Sequence, residues 1–332
     1  MTIRHDMRRR VSGAGDALGE SLEMVRDFFR RQLTPEGGFQ GRDGHSDLYY
    51  TVFGLEALLA VGVDLPRERI NGYLCSFGAG DSLDFVHLTS LIRCCANMAE
   101  SGSPLGVARA SRPCVARPSW PCLAESETPT APEVQGQDAL ATRKEMASHL
   151  RVYRSDDGGF NTAAGAVRGN VYGSFLALGA CQDLGLDLPD LEAMAESVGS
   201  LQMPDGGYSN EPAMAVSATP ATAAALCVLH CLKRSVPEAA VRWLLGRAGP
   251  RGGFTAISLA GDLAIPDLLS TATALYALSL VGALAEDGRD RHLDYLDSLW
   301  STQGGFRGHW GDEMIDCEYT YYGLLSLGCL VT

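Results

Sequence analysis

The sequence predicts an all-α fold, an (α/α)6 barrel of six helical hairpins with one helix of each hairpin inside the ring and one outside. Three observations predict it: a recurring Gly-Gly-aromatic phrase, an apolar helical run after each phrase, and an Asp or Asn at a fixed place ahead of those runs.

The phrase stands at Gly37-Gly38-Phe39, Gly158-Gly159-Phe160, Gly206-Gly207-Tyr208, Gly252-Gly253-Phe254 and Gly304-Gly305-Phe306, the last four spaced by 48, 46 and 52 residues. Such a period suits a helix–turn–helix unit. The first glycine is expected to end the outer helix in a left-handed conformation, and the second to let the chain turn closely before the aromatic enters the core. The wide gap between Phe39 and Phe160 holds a degenerate sixth unit, LDFVHLTSLIRCC from Leu83 to Cys95, which lacks the glycine pair.

Aligned on their apolar pattern, the six runs place Asp47, Asp84, Asn170, Ala218, Asp267 and Asp316 in one column. Five of these six carry the side-chain oxygen that an N-cap uses to satisfy free N–H groups of the first turn. The runs themselves are apolar nearly all round and belong inside. SLEMVRDFFRRQL, LEAMAESVGSLQ and DRHLDYLDSLW carry a single apolar stripe and belong outside. The chain is therefore expected to be one domain over residues 1–332, interrupted at residues 103–136 by a mobile insertion. Six of the fifteen prolines fall between Pro104 and Pro132, without usable periodicity. Cys114 and Cys122 in that stretch read as surface thiols.

Composition narrows the function. A formal charge of −13 and no long basic run exclude a phosphate backbone as partner, so no nucleic acid is expected. No run reaches the ~18 apolar residues a membrane span needs. The basic N-terminus has no apolar stretch behind it, and the ten cysteines are dispersed, mostly in apolar runs. These features predict a cytoplasmic protein with reduced thiols.

The units resemble those of protein prenyltransferase β-subunits and, more distantly, squalene-type cyclases, over nearly the whole chain except the first dozen residues and the insertion. The resemblance implies the terpenoid cyclase/protein prenyltransferase toroid. It is sharpest at the end, where the family's last repeat, Asp-aromatic-Tyr-His-Thr-x-Tyr-x-Leu, meets Asp316-Cys317-Glu318-Tyr319-Thr320-Tyr321-Tyr322-Gly323-Leu324. Tyr319 stands where the family has a zinc-binding His. The Asp-x-Cys supplying the other two ligands maps onto Asp267-Leu268-Leu269, so Asp267 is the only retained family zinc ligand. Zinc needs three or four converging donors, and as a cofactor it is poorly supported here. The loop Thr255–Asp262 lacks the basic residues the family uses for diphosphate. The cyclase acid motif, Asp-x-Asp-Asp-Thr-Ala, survives in Asp267-Leu268-Leu269-Ser270-Thr271-Ala272 only at its first Asp and its Thr-Ala.

The resemblance thus implies an isoprenoid-handling, prenyltransferase-like transferase that binds a prenyl diphosphate in the barrel cavity without the zinc-thiolate mechanism. A non-catalytic toroid that binds a lipid or polypeptide and an acid-initiated terpene cyclase remain open, as does an α-subunit-like helical partner. In a closed ring, units one and six are neighbours, which brings together Arg42, Asp43, His45, Asp47, Tyr49 and Tyr50 with Arg307, His309, Trp310, Asp312, Glu313, Asp316, Cys317 and Glu318. Asp267, Asp316, Glu318 and Tyr319 are the catalytic candidates. Arg42, His45, Asp47, Tyr50, His87, Arg307 and His309 are the candidates for substrate binding. The two His with nearby carboxylates would suit a divalent metal, and Arg42 with Arg307 an anion. On the bland alternative, Asp47 and Asp316 are caps, the rest a solvated rim, and His87 a core histidine. The aromatics Tyr49, Tyr50, Phe53, Phe85, Tyr172, Tyr319, Tyr321 and Tyr322 would suit an isoprenoid or a carbocation, or simply fill the core. His230, flanked by Cys227 and Cys231, lies about 100° per residue off their shared face, so the cluster reads as an apolar helix face rather than a ligand set.

Overall fold

The computed structural model describes residues 2–100, 132–188, 190–258 and 265–331, with residues 132–140 described in backbone only. Most of the expected insertion, with Cys114 and Cys122, lies outside the described residues, as do Leu259–Asp262. Its last five residues, 132–136, instead open a helix with Pro132 in first place, where the missing N–H costs nothing.

One helix, α1 (Ile3–Leu18), precedes six outer–inner pairs. These are α2 (Ser21–Gln32) with α3 (Leu48–Ala60), α4 (Arg67–Cys75) with α5 (Phe85–Glu100), and α6 (Pro132–Arg151) with α7 (Val171–Leu184). Then follow α8 (Leu191–Gly199) with α9 (Thr219–Cys231), α10 (Glu238–Leu245) with α11 (Leu268–Leu280), and α12 (Arg289–Leu299) with α13 (Cys317–Val331). Each inner helix packs on the next, and α13 returns to α3, which closes the ring.

The caps form as the sequence predicts. Side-chain oxygens of Asp47, Asp84, Asn170, Asp267 and Asp316 accept the N–H three residues on, and Ala218 makes no such bond. A second column, not read from the sequence, lies four residues further in. The N–H groups of Phe39, Phe160, Tyr208, Phe254 and Phe306 donate to the hydroxyls of Thr51, Ser174, Thr222, Thr271 and Thr320. Each bond satisfies a buried N–H that has no helix or long sheet to serve it. All five aromatics are buried. Short antiparallel links run from aromatic to cap in two units: β1 (Phe39–Gln40) with β2 (Ser46–Asp47), and β3 (Phe254–Thr255) with β4 (Pro266–Asp267).

The first glycine of each pair has φ between 86° and 104°, but it does not end the outer helix. α2 ends at Gln32, Leu33 bridges to Phe39, and Gly37 sits in the turn between them. Packing of the next hairpin explains the requirement. A Cβ on Gly37 would stand 2.3 Å from the Arg69 carbonyl oxygen of α4, and one on Gly304 2.1 Å from that of Met24 on α2, across the closure of the ring. Glycine therefore lets the turn after one outer helix lie against the backbone of the next outer helix.

α1 lies across the end of the barrel remote from the caps. It packs against α3, α7 and α13, and a Cβ on Gly328 of α13 would fall 1.8 Å from the Arg10 carbonyl oxygen. Two of its arginines are used inward. Arg4 reaches Asp183 on α7 at 2.7 Å and Glu100 on α5 at 2.7 Å, and Arg10 reaches Ser279 on α11 at 2.5 Å. The helix thereby floors the barrel.

Candidate functional site

The barrel lumen consists of two lobes that share Met7, Tyr49, Tyr172, Phe175 and Tyr322. The larger, about 360 Å³, lies against α9, α11 and α13 and is walled by Ala221, Ala224, Leu269, Tyr276 and Leu325, with Glu318 as its carboxyl. The smaller, about 110 Å³, lies against α3, α5 and α7 and ends on Glu56, Arg93 and Asp183. The larger lobe alone falls within the ~300–1,000 Å³ of ordinary small-molecule pockets. Spacing on the helices explains which side chains face in. Glu318, Tyr322 and Leu325 on α13 recur at helical period, as do Leu269, Thr273 and Tyr276 on α11.

Glu318 is the carboxyl at this lumen with no cationic partner at bonding distance among the described residues. Its Oε1 accepts the Tyr49 hydroxyl at 2.6 Å. Burial raises its pKa, and Asp316 adds to that, against the opposing effects of the Tyr49 bond and Arg42. The rise holds even though Glu318 sits in the first turn of α13, where a helix dipole favours the anion. Burial also raises the Tyr172 phenol to about 12, so the aromatic wall is neutral at physiological pH.

Arg42, Asp316 and Tyr319 form the seam between units six and one. At three of the other junctions a backbone bond joins neighbouring units: Val171 donates to Asn210, Thr219 to Ala256 and Leu268 to Gly308. Here the Arg42 guanidinium donates from Nε to Asp316 at 2.8 Å and from Nη2 to Asp312 at 3.0 Å, and lies 5.3 Å from the Tyr319 ring centre. Arg42 is thus committed to two carboxylates, which removes one arm of the anion clamp expected with Arg307. Tyr50 packs edge-on to Tyr49, its phenol pushed up to about 12 by burial.

The remaining candidates do not converge. His45 is exposed, with its N–H on Asp43, and lines a shallow outer depression with Arg31 and Glu36. His87 bonds its own cap, Asp84, through both its N–H and Nδ1. His309 is exposed and accepts the Gly311 N–H in its own turn, while Asp47 caps α3. Arg307 is half-buried, and its main chain pairs with Ile315. Asp267 spends one oxygen on the Ser270 N–H and the other on the Ser270 hydroxyl, both at 2.7 Å, and burial raises its pKa. Phe85 packs against Tyr153 and lines neither lobe, and His230 is exposed.

The family's zinc does not fit these residues. Of its three ligand positions, Leu269 offers no donor, Asp267 is occupied by Ser270, and Tyr319 lies under a guanidinium that repels a cation. No group of three or more His, Cys, Asp or Glu suited to a metal occurs among the described residues.

The lobe that ends on Glu56, Arg93 and Asp183 escaped the sequence reading. Its signal was present: Glu56, Arg93 and Asp183 are charged residues within three largely apolar helices. A charge so placed must find a partner inside the ring.

The family model for the prenyltransferase alpha-alpha toroid domain matches residues 16–93, 134–256 and 269–331. The chain belongs to that family. Nearly all of α1 precedes the matched region, so the floor of this toroid is an addition to the part that matches. Among solved structures, Candida albicans protein geranylgeranyltransferase-I complexed with GGPP is similar at 14% identity and a TM-score of 0.63, over 92% of this chain and 90% of that one. The type II terpene cyclase MstE from Scytonema, as its R337A variant in complex with geranylgeranyl dihydroxybenzoate, is similar at 13% identity and a TM-score of 0.58, over 98% of each chain. A protein from Actinoplanes is 15% identical with a TM-score of 0.54, over 94% of this chain and 98% of that one. At such identities the likeness shows the toroid fold. No curated protein matches the sequence. None of the described helices is long and apolar enough to cross a membrane.

Proposed function

We propose that this toroid is an isoprenoid-handling enzyme that takes a polyprenyl chain into its lumen and starts the reaction with a proton from Glu318. The observation that carries the reading is a half-buried carboxyl with no cation at bonding distance among the described residues, opening on a neutral aromatic wall. Burial that raises a carboxyl's pKa favours its proton-donating form, which is the form a general acid needs. Its proton would pass to one carbon of a trisubstituted alkene, leaving a tertiary cation on the other. The faces of Tyr49, Tyr172 and Tyr322 would stabilise that cation, and return of a proton to the carboxylate would regenerate the acid.

Acid-initiated chemistry is favoured over transfer from a prenyl diphosphate by the charges around the cap end of the barrel, which this reading takes as the entrance. Asp267, Asp312, Asp316 and Glu318 gather there, and Arg42 is already paired. The neighbours that hold a prenyl diphosphate or a geranylgeranyl dihydroxybenzoate support an isoprenoid as ligand class.

The test is incubation with farnesol, geranylgeraniol and geranylgeranyl diphosphate in deuterated buffer, with products read by mass spectrometry. Products carrying deuterium, formed without diphosphate release and lost in Glu318→Gln at unchanged melting temperature, are expected. Full turnover by Glu318→Gln, or release of diphosphate, would overturn the assignment. Tight binding without any product would move it to the non-catalytic lipid-binding toroid.

A further inference from the structure

The smaller lobe has features that a mere packing gap lacks. Its volume is about 110 Å³, against the ~10–15 Å³ that admits one water. Its end wall is polar and only partly satisfied. Arg93 donates from Nε to Glu56, and from Nη2 to Glu56 at 3.1 Å and weakly to the Met7 sulfur at 3.5 Å. Its Nη1 has no acceptor among the described residues. The Arg93 side chain keeps 16% of its surface exposed although it stands on an inner helix, and the space it faces is this lobe.

The charges around that N–H balance. Arg4, Arg8 and Arg93 meet Glu56, Glu100 and Asp183, with Arg4 bonded to Asp183 and both Arg4 and Arg8 bonded to Glu100. A further anion would find no net positive charge, and a cation would meet the guanidinium first. An uncharged oxygen that accepts a hydrogen bond suits the position, because an open charged donor in a low-dielectric pocket gains most from such a partner.

We infer that the ligand of this toroid is an isoprenoid bearing a terminal hydroxyl or carbonyl oxygen, and that this oxygen binds Arg93 at the deep end of the smaller lobe while the hydrocarbon tail lies in the larger lobe beside Glu318. The inference rests on the isoprenoid reading and deepens it. It places the polar end of the ligand at the floor of the barrel, far from the carboxylates of the entrance, and leaves an alkene of the tail to the acid.

Removing Arg93 is a poor test, because Glu56 would be left buried without its partner. Gly179 offers a better one. It lines the smaller lobe, a Cβ there meets nothing within 4 Å, and its φ is not positive, so Gly179→Leu adds bulk to the lobe without straining the α7 backbone and leaves the Arg93–Glu56 pair unmutated. Calorimetric titration of the full-length protein with farnesol and with the hydrocarbon farnesene reads the difference the lobe makes. Water favours expulsion of the hydrocarbon, so any preference for the alcohol must come from the pocket. Wild type is expected to bind farnesol about tenfold more tightly than farnesene, the scale of one hydrogen bond to a charged donor. Gly179→Leu is expected to abolish that preference and to unfold at or above the wild-type temperature. Equal affinity for both ligands in wild type, or a preference that survives Gly179→Leu, overturns the inference and leaves the isoprenoid reading standing. If neither ligand binds, the isoprenoid reading itself fails and this inference with it.

Discussion

Replacing Arg93 with Met tests how the barrel tolerates charge in its middle. Glu56 is 1% exposed and accepts from Arg93 twice, from the Tyr321 hydroxyl at 2.7 Å and from Asn97 at 3.4 Å. Met fills much of the volume of Arg but leaves the carboxylate only two neutral donors. Breaking a buried ion pair costs about 3–5 kcal/mol, and the surviving bonds place the expected loss near the lower end, about 3 kcal/mol. That is a large part of the roughly 5–15 kcal/mol by which a domain is stable.

The dependence on pH identifies the cause. In wild type, burial pushes the Glu56 pKa up, but the charge and hydrogen bonds of Arg93, with help from Tyr321, outweigh it and the net shift is downward. A carboxyl whose folded pKa is lowered contributes stability above its unfolded value of about 4.3, lost as pH falls through the folded value. In Arg93→Met the burial effect is opposed only by the Tyr321 bond and the weaker field of Arg8, and the shift is expected to reverse. The penalty is then full above the raised pKa and vanishes below the unfolded one. Urea unfolding followed by circular dichroism at pH 7.5 and pH 5 should therefore show the gap between variant and wild type narrowing on acidification. The double variant Glu56→Met/Arg93→Met should recover most of the loss, since an apolar pair replaces an ion pair at little cost. A deficit under about 1 kcal/mol at pH 7.5, or one that does not change with pH, would refute this reasoning.

Turnover that depends on Glu318 as an acid should fall as pH rises through its raised pKa, seen as a descending limb in the pH–rate profile that Glu318→Gln lacks. Gly304→Ala should destabilise by more than about 1 kcal/mol in a melting experiment, because its Cβ would overlap the Met24 carbonyl at a φ of 89°, whereas Gly179→Ala in open helix should be neutral or stabilising. Asp316→Asn keeps the cap oxygen but loses the charge that holds Arg42. It should cost under about 1 kcal/mol by melting, against roughly 1–2 kcal/mol for Asp316→Ala, which also leaves the Tyr319 N–H without an acceptor. In native protein, Cys94, Cys227 and Cys317 should resist alkylation mapped by mass spectrometry, since burial pushes all three thiols well up.

The repeat was legible because most units carry their own local instructions. A glycine pair, an aromatic, and a capping Asp or Asn act within about fifteen residues of one another, and local requirements of that kind are written in consecutive letters. The number of hairpins, the inner and outer assignment and the five caps follow from them. The site was legible only in part. Glu318, Tyr49 and Tyr322 were candidates and line the lumen, whereas His45, His87 and His309 are taken up by their own turns and caps, and Arg42 joins two units instead of holding an anion. Residue type suggested chemistry for all of these alike. Whether a side chain is free depends on a partner that only folding brings near.

By itself, the sequence determined the ring: six copies of one hairpin, each too small to bury its own apolar face, stack until the last meets the first. The tertiary structure decided what lies inside it. It turned Arg4 and Arg10 of α1 inward to floor the barrel, brought Glu56, Arg93 and Asp183 from three helices to one end of the lumen, and left Glu318 with no cation at bonding distance among the described residues. The physical reason is range. A cap or a turn is satisfied by neighbours three or four residues away, but a buried charge is satisfied by whichever opposite charge the closed ring delivers, here 37 residues distant for Glu56 and Arg93 and 179 for Arg4 and Asp183.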